Sequence, residues 1–162
     1  MEAPPEMSRS AGFARSSRRR LAIPMLGVAL SAVAAAGCLP AQENTFLERT
    51  NALRTSAGLP VLSDHEVLNE KAEAWAQHMA ETGVLDHSRL TDSVEGLQWF
   101  RLAENIGMSE PTGDTLLALH EKLASSGAHR DNMLDERFDH MGVGVAESAD
   151  GRVWVVEVFA DL

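Results

Sequence analysis

Apolar side chains recur at helical spacing in three parts of the chain. The clearest stripe repeats every 3.6 residues, and its members are Leu68, Ala72, Trp75, Ala76, Met79 and Ala80. It predicts a helix over residues 63–82, which Gly83 ends. Weaker stripes predict helices over about residues 45–57 and 115–124.

Two Ser/Thr–Glu pairs indicate where the first two helices begin. Thr45 with Glu48, and Ser63 with Glu66, have the spacing of a capping box, in which each side chain bonds a free backbone amide of the first turn. We therefore expect Thr45 and Ser63 to be the N-terminal caps.

Strand patterns replace helical ones toward the C-terminus. Residues 141–147 and 153–160 are rich in Val and flank the turn sequence SADGR, which predicts a β-hairpin. Gly142 and Gly144 alternate along the first of these strands and indicate the close approach of another backbone. Residues 84–107 have no sustained period and predict a long loop ending in a brief strand. Helices around a small antiparallel sheet make an α+β domain.

The first 37 residues have the features of an export signal rather than of a domain. A block of arginines precedes an apolar run of Ala, Leu and Val. The run is about 16 residues long, whereas a helix needs roughly 20 to cross a bilayer, so a retained membrane anchor is the less favoured alternative. The sequence SRRRLA resembles a twin-arginine signal, although arginine-rich signals also use the general secretion route.

The end of this signal offers two cleavage sites. AAGC at residues 35–38 resembles a bacterial lipobox, in which Cys38 is acylated and anchors the protein to the membrane of the cell envelope. Cleavage after Ala41 would instead release a secreted protein. We expect the lipoprotein form, with residues 38–45 as a tether and residues 46–161 as the domain.

Composition narrows the possible partners. Cys38 is the only cysteine, so the domain has no intramolecular disulfide and its fold depends on burial. Residues 1–37 contain five Arg and two Glu, a net of +3, so the rest of the chain carries −10 − 3 = −13. Such an acidic surface repels phosphate backbones and excludes nucleic acid as a partner. We expect a monomer.

Two segments resemble known catalytic motifs but lack a required residue. The HRD at residues 129–131 lacks the asparagine of a kinase loop five residues later, and HEKLA at residues 120–124 has Ala124 where a zinc protease needs its second histidine. What remains is dispersed: His87, Glu104 and His129 lie in loops or at the edges of elements.

Several segments, in order and spacing, resemble the bacterial short form of the CAP superfamily, which unites cysteine-rich secretory, antigen-five and pathogenesis-related proteins and is also called the SCP domain. They are FLERTNALRTSAGLPVL, AEAWAQHMAETGVLDHS, AENIG, SSGAHRDNML and FDHMGVGVAESADGRVWVVEVFAD. The resemblance covers residues 46–161. It implies a three-layer α-β-α sandwich with an antiparallel sheet.

The resemblance also implies a cavity lined by two histidines and two glutamates that can hold a divalent metal such as zinc. Carried over by motif, the histidines are His87 and His129 and one glutamate is Glu104. Ser126 occupies the position of the other glutamate, which reduces the four residues to three. Ala103 and Ala128 replace family glycines beside Glu104 and His129.

Two imidazoles and one carboxylate suit Zn²⁺ and leave a coordination position open. The family is associated with signalling, defence and lipid or sterol binding more than with one reaction, so a binding module for a small molecule, lipid or peptide is favoured over an enzyme. One alternative is a metal-dependent envelope hydrolase with Ser126, Glu121 or Asp86 as general base, among which the sequence does not choose. The other is a structural surface domain in which the three residues only bond one another.

Overall fold

The computed structural model describes residues 39–94, 96–111 and 114–162. Its elements in chain order are α1 (Leu39–Ser56), β1 (Ser63–Asp64), α2 (Glu66–Thr82), β2 (Arg101–Ser109), α3 (Thr115–Ser125), α4 (Gly127–Leu134), β3 (His140–Glu147) and β4 (Val153–Asp161). The expected export signal and the acylation site Cys38 lie outside the described residues. Among the described helices, none has the length and hydropathy needed to span a membrane.

The strands form one sheet in the order β1-β3-β4-β2. β4 lies between β3 and β2 and is antiparallel to both, which confirms the predicted hairpin. The three long strands form the expected antiparallel sheet, to which the two-residue β1 adds a parallel pairing with β3. The sheet is therefore mixed.

Helices cover both faces of the sheet, as the α-β-α architecture requires. Side chains of β4 alternate between the faces because a strand has a period of two. Trp154, Val156 and Val158 pack in the core under α2, whereas Val155 and Phe159 pack in a second core under α1, α3 and α4. This alternation decides which residues of β2 and β4 can meet each helix.

Two glycines of β3 allow α2 to lie directly against the sheet, as their alternation predicted. A Cβ atom on Gly142 would lie 2.2 Å from the backbone of Leu68, and one on Gly144 would lie 2.2 Å from the backbone of Ala72. Only hydrogen fits in that space. The close contact fixes α2, and with it the loop that follows.

Both predicted capping boxes were wrong. Helix α1 begins at Leu39, within the segment expected to be a tether. Ser63 lies in β1, where its backbone amide donates to Asp139 O at 2.8 Å, and His65 precedes α2 without a side-chain cap. Pairing with β3, distant in sequence, outcompeted the local cap. Gly83 does end α2, with φ of 69°.

The middle of the chain is more regular than predicted. The brief strand is the nine-residue β2, and the polar residues that follow α3 in SSGAHRDNML form an eight-residue helix, α4. Helix α3 matches its predicted bounds within one residue and is capped by Asp114, whose side chain accepts from Leu117 N. The residues between α2 and β2 form the long loop, and we call residues 84–94 the His87 loop.

Candidate functional site

His87 and Glu104 form a hydrogen-bonded dyad at the edge of the sheet. His87 Nδ1 lies 2.8 Å from Glu104 Oε1. The Glu104 side chain is 1% exposed and the His87 side chain is 58% exposed, so a buried carboxylate holds an imidazole that solvent and ligands can reach. Because a carboxylate only accepts hydrogen bonds, Nδ1 of His87 carries a proton, and in the neutral form of the ring Nε2 is then an acceptor.

Ser88 satisfies the rest of the Glu104 carboxylate. Its backbone amide donates to Oε1 at 2.9 Å, and its hydroxyl donates to Oε2 at 2.5 Å. With the Nδ1–H of His87, the carboxylate accepts three hydrogen bonds from one loop. Such a carboxylate fixes the loop and the ring, as carboxylate partners of functional histidines do.

Side chains of helix α2 hold the His87 loop in position. Lys71 is buried, and its Nζ donates at 3.0 Å to the carbonyl oxygens of Arg89 and Asp92. Trp75 Nε1 donates to Asp86 O at 2.8 Å. The two side chains stand one helical turn apart, so the regular face of α2 sets the position of the irregular loop.

His129 lies on α4, which covers the face of β2 opposite to the dyad, and its backbone oxygen accepts from Asn105 Nδ2 at 3.1 Å. Burial first, and then the charge of His87, lower the pKa of the His129 imidazole below its usual value. The His129 ring is therefore mostly uncharged near pH 7. Its Nδ1 is buried without a hydrogen-bond partner, unlike nearly all buried polar atoms.

The remaining predicted site residues lie outside the hydrogen bonds of the dyad. Ser126 precedes α4 and makes no side-chain hydrogen bond as a cap. Asp86 Oδ1 accepts from the backbone amide of His87, and the Glu121 side chain is exposed on α3. Arg130 and Asn132, in the polar stretch, bond Ala124 O and Asn105 Oδ1 and hold α4 in place.

The described residues do not form a three-ligand metal centre. Among residues 39–94, 96–111 and 114–162, no three His, Cys, Asp or Glu side chains are arranged to hold a metal ion. Hydrogen bonds from His87 and Ser88 occupy both Glu104 oxygens. In this arrangement the Glu104 carboxylate supports the His87 ring, whose side chain is the accessible one of the pair.

Behind the site lies a buried polar network that the sequence reasoning missed. Glu157 is fully buried in β4, and Asn105 Nδ2 donates to its Oε2 at 2.9 Å. Thr50 Oγ1 lies 3.5 Å from its Oε1 and 3.4 Å from Nε2 of His120, which is also buried. A charged residue in the middle of VWVVEVFA was the available signal, because strand alternation puts it between the buried Val155 and Phe159.

A buried arginine, also missed, clamps the C-terminal end of α4. Arg54 is 0% exposed and donates to the carbonyl oxygens of Pro60, Met133, Asp135 and Phe138 at 2.7 to 3.0 Å. It thus serves carbonyl groups that the end of a helix leaves without partners. Burial lowers its pKa from the usual value for arginine.

Two cavities of about 200 Å³ flank the His87 loop. Trp75 lines both; Asp86 and Val84 line the first, and Ser88 and Lys71 line the second. The lining of the two cavities includes the neighbours of His87, Asp86 and Ser88, but neither His87 nor Glu104.

A protein-family model matches most of the chain. The model of the cysteine-rich secretory protein family, CAP, matches residues 47–159. The chain belongs to the CAP family. That match includes His87, Glu104 and His129, so the candidate site lies within the CAP domain.

Similar proteins agree with this assignment. The Bacillus subtilis (strain 168) protein named "Uncharacterized protein YkwD" is 32% identical over 121 residues, which are 70% of this chain and 45% of that protein. The chain thus spans about half the length of this relative.

Among solved structures, an extracellular SCP-domain protein of Bacillus anthracis has a TM-score of 0.63 at 21% identity over 76% of this chain and 41% of that one. An outer surface protein of Borrelia burgdorferi has a TM-score of 0.63 at 15% identity over 73% of this chain and 90% of that one. At these identities the likeness shows a common fold.

Proposed function

We propose that this CAP-domain protein is a binding module whose ligand is held by the exposed edge of His87, with His129 completing the site. The observation that carries the proposal is the dyad itself. The buried Glu104 carboxylate accepts three hydrogen bonds from the His87 loop, and one of them orients the accessible imidazole of His87. Rigid support of this kind is what a binding site needs, because little freedom is then lost when a ligand binds.

The chemistry of the ligand follows from the ring atoms. With Nδ1–H donated to Glu104, the His87 Nε2 accepts a hydrogen bond or a metal ion. The His129 ring, neutral at pH 7 and without a partner on Nδ1, offers a second acceptor or donor beside it. The site therefore suits a polar group of a small molecule, lipid or peptide, or a divalent metal such as Zn²⁺.

Metal binding at this site would be weak. Two imidazoles are fewer than the three or four protein ligands of ordinary zinc sites, so water or the bound molecule would complete the coordination. When bound, such a metal would polarise a ligand oxygen. Hydrolysis additionally needs a placed general base, for which neither Ser126 nor Glu121 has a supporting contact.

We further propose that the domain works outside the cytoplasm. The basic and apolar residues before residue 38 support export, and the Bacillus anthracis and Borrelia burgdorferi proteins of the same fold are described as an extracellular and an outer surface protein. Acylation of Cys38 would keep the domain at the cell envelope, and cleavage after Ala41 would release it. Mass spectrometry of the mature N-terminus distinguishes the two forms.

The binding site is tested by titrating Zn²⁺ into the folded protein and its variants, using calorimetry and the shift in Tm. We expect saturable heat and a raised Tm in the wild type, since a ligand that binds only the native state stabilises it. Both effects should fall at least tenfold in apparent affinity in His87→Ala and in His129→Ala.

The matched control is His78→Ala, which removes an exposed histidine stacked on Trp75 at 4.6 Å. It should bind Zn²⁺ like the wild type. Identical titrations for the wild type and both site variants would contradict the two-imidazole metal site. If His87→Ala then also lowered the Tm, the three residues would act as a structural network instead.

A further inference from the structure

Asn105 links the buried carboxyl of Glu157 to helix α4. One Nδ2 hydrogen is donated to Glu157 Oε2 at 2.9 Å and the other to His129 O at 3.1 Å. Its Oδ1 accepts from Asn132 Nδ2 at 2.9 Å. Both donors and the acceptor of this fully buried amide are therefore used, and two of the three bonds go to α4.

Helix α4 is held at separate points along its length, and Asn105 supplies its hydrogen bonds to β2. It is eight residues long, and Met133 is its buried residue. The carbonyl groups at its C-terminal end are clamped by Arg54, whereas its N-terminal half, which carries His129, is tied to β2 through Asn105. The N-terminal half is also joined to α3 through Ser126 and through Arg130 Nη1, which donates to Ala124 O at 3.3 Å, so loss of the Asn105 bonds would loosen its attachment to β2.

The environment of Glu157 makes the attachment sensitive to ionisation. The hydrogen-bond partners of its carboxyl in the described part of the chain are Thr50 and Asn105, both uncharged. Arg54 on α1 donates to backbone carbonyl oxygens, His120 on α3 lies 3.4 Å from Thr50 Oγ1, and His129 on α4 bonds Asn105 through its backbone oxygen. The Nε atom of Arg49 on α1 is buried without a hydrogen-bond partner. None of these cationic or titratable groups is hydrogen-bonded to the Glu157 carboxyl, so a negative charge on Glu157 would have no directly bonded cation among the described residues.

We propose that the Asn105–Glu157 pair is a proton-controlled positioning device, which holds His129 beside the His87–Glu104 dyad while Glu157 is protonated and releases the first half of α4 when it ionises. An unpaired charge in the core favours conformations that admit water. The shortest and least buried of the covering helices is the one that can open with the smallest loss of packing. The consequence for binding depends on the function proposed above; the movement of α4 does not.

Burial raises the pKa of Glu157 to about 7, and the bonds from Asn105 and Thr50 only partly oppose this. Since the ordinary value is 4.5, the folded state binds more protons than the unfolded state between about pH 4.5 and 7. The contribution of Glu157 to stability is therefore full below pH 4.5, is lost as the pH rises to 7, and stays lost above it.

The experiment compares the full protein with Glu157→Gln, which keeps the shape and the acceptor for Asn105 but cannot ionise. At pH 8 the variant should melt roughly 5 °C or more above the wild type, and at pH 5 the difference should be small or reversed. In the wild type, hydrogen exchange at residues 127–131, corrected for its intrinsic pH dependence, should increase severalfold through pH 7. It should stay level in Glu157→Gln.

Two further variants separate positioning from stability alone. Glu147→Gln removes an exposed carboxylate at the end of β3 and should behave like the wild type. Asn132→Ala removes one bond between α4 and Asn105 and should raise exchange at residues 127–131 at every pH. Equal pH dependence in the wild type and Glu157→Gln, or a melting difference without any change in α4 exchange, would overturn the proposal, and neither result depends on whether Zn²⁺ binds.

Discussion

At the scale of single residues, the site depends on partners that are distant in sequence. His87 and Glu104 are 17 residues apart, and their hydrogen bond decides which nitrogen of the ring is free. The motifs around His87 and Glu104 could be recognised in the sequence. The hydrogen bond by which Glu104 orients the His87 ring could not be predicted from it. From the sequence alone, the carboxylate of Glu104 and the imidazole of His87 are equally good candidate ligands. In the structure, Glu104 accepts three hydrogen bonds and supports the His87 ring.

The glycines of β3 are the residues whose role was most visible beforehand. Gly144→Ala should lower the free energy of unfolding by about 3 kcal/mol, because the added methyl group would overlap the backbone of α2 at Ala72. Chemical denaturation measures the loss. Gly127→Ala is the matched control: nothing lies within 4 Å of the added atom, so it should be neutral or stabilising by up to about 1 kcal/mol. Equal losses in both would contradict this packing.

At the scale of elements, periodic segments could be predicted and segments fixed by tertiary contacts could not. Helix α2, helix α3 and the C-terminal hairpin follow from their own apolar spacing. β1 does not, because its two residues become a strand only by pairing with β3. The N-terminal extension of α1 and the helical form of α4 were also missed, since neither has a strong apolar stripe of its own.

The contact between Lys71 of α2 and the His87 loop can be tested by mutation. Lys71→Met keeps the apolar stem but removes the Nζ donors, so two loop carbonyls lose their partner at a cost of about 1–3 kcal/mol. Amide exchange at residues 87–92 should become faster than in the wild type, while the core of the sheet stays protected. Lys122→Met removes an exposed lysine with one long bond of 3.4 Å and should leave the loop unchanged. Unchanged exchange in Lys71→Met would show that other contacts fix the loop.

At the scale of the whole molecule, helices on both faces leave β2 as an edge strand on which the site is assembled. Glu104 faces the side covered by α2 and meets the His87 loop, while Asn105 faces the opposite side and meets α4. Consecutive residues of one strand thus connect the two halves of the site. The sequence shows that Glu104 and Asn105 are neighbours. The helices on the two faces of the sheet explain why these neighbours contact different elements.

The central claim is that Glu104 holds His87 with Nε2 free, beside His129. Long-range ¹H–¹⁵N NMR of the imidazole rings tests this most directly, because it identifies the protonated nitrogen of each neutral histidine. We predict that the neutral His87 ring carries its proton on Nδ1 in the wild type, that this preference is lost in Glu104→Ala, and that His129→Ala shifts the His87 resonances. A proton on Nε2 of His87 in the wild type, with no response to either substitution, would contradict the account.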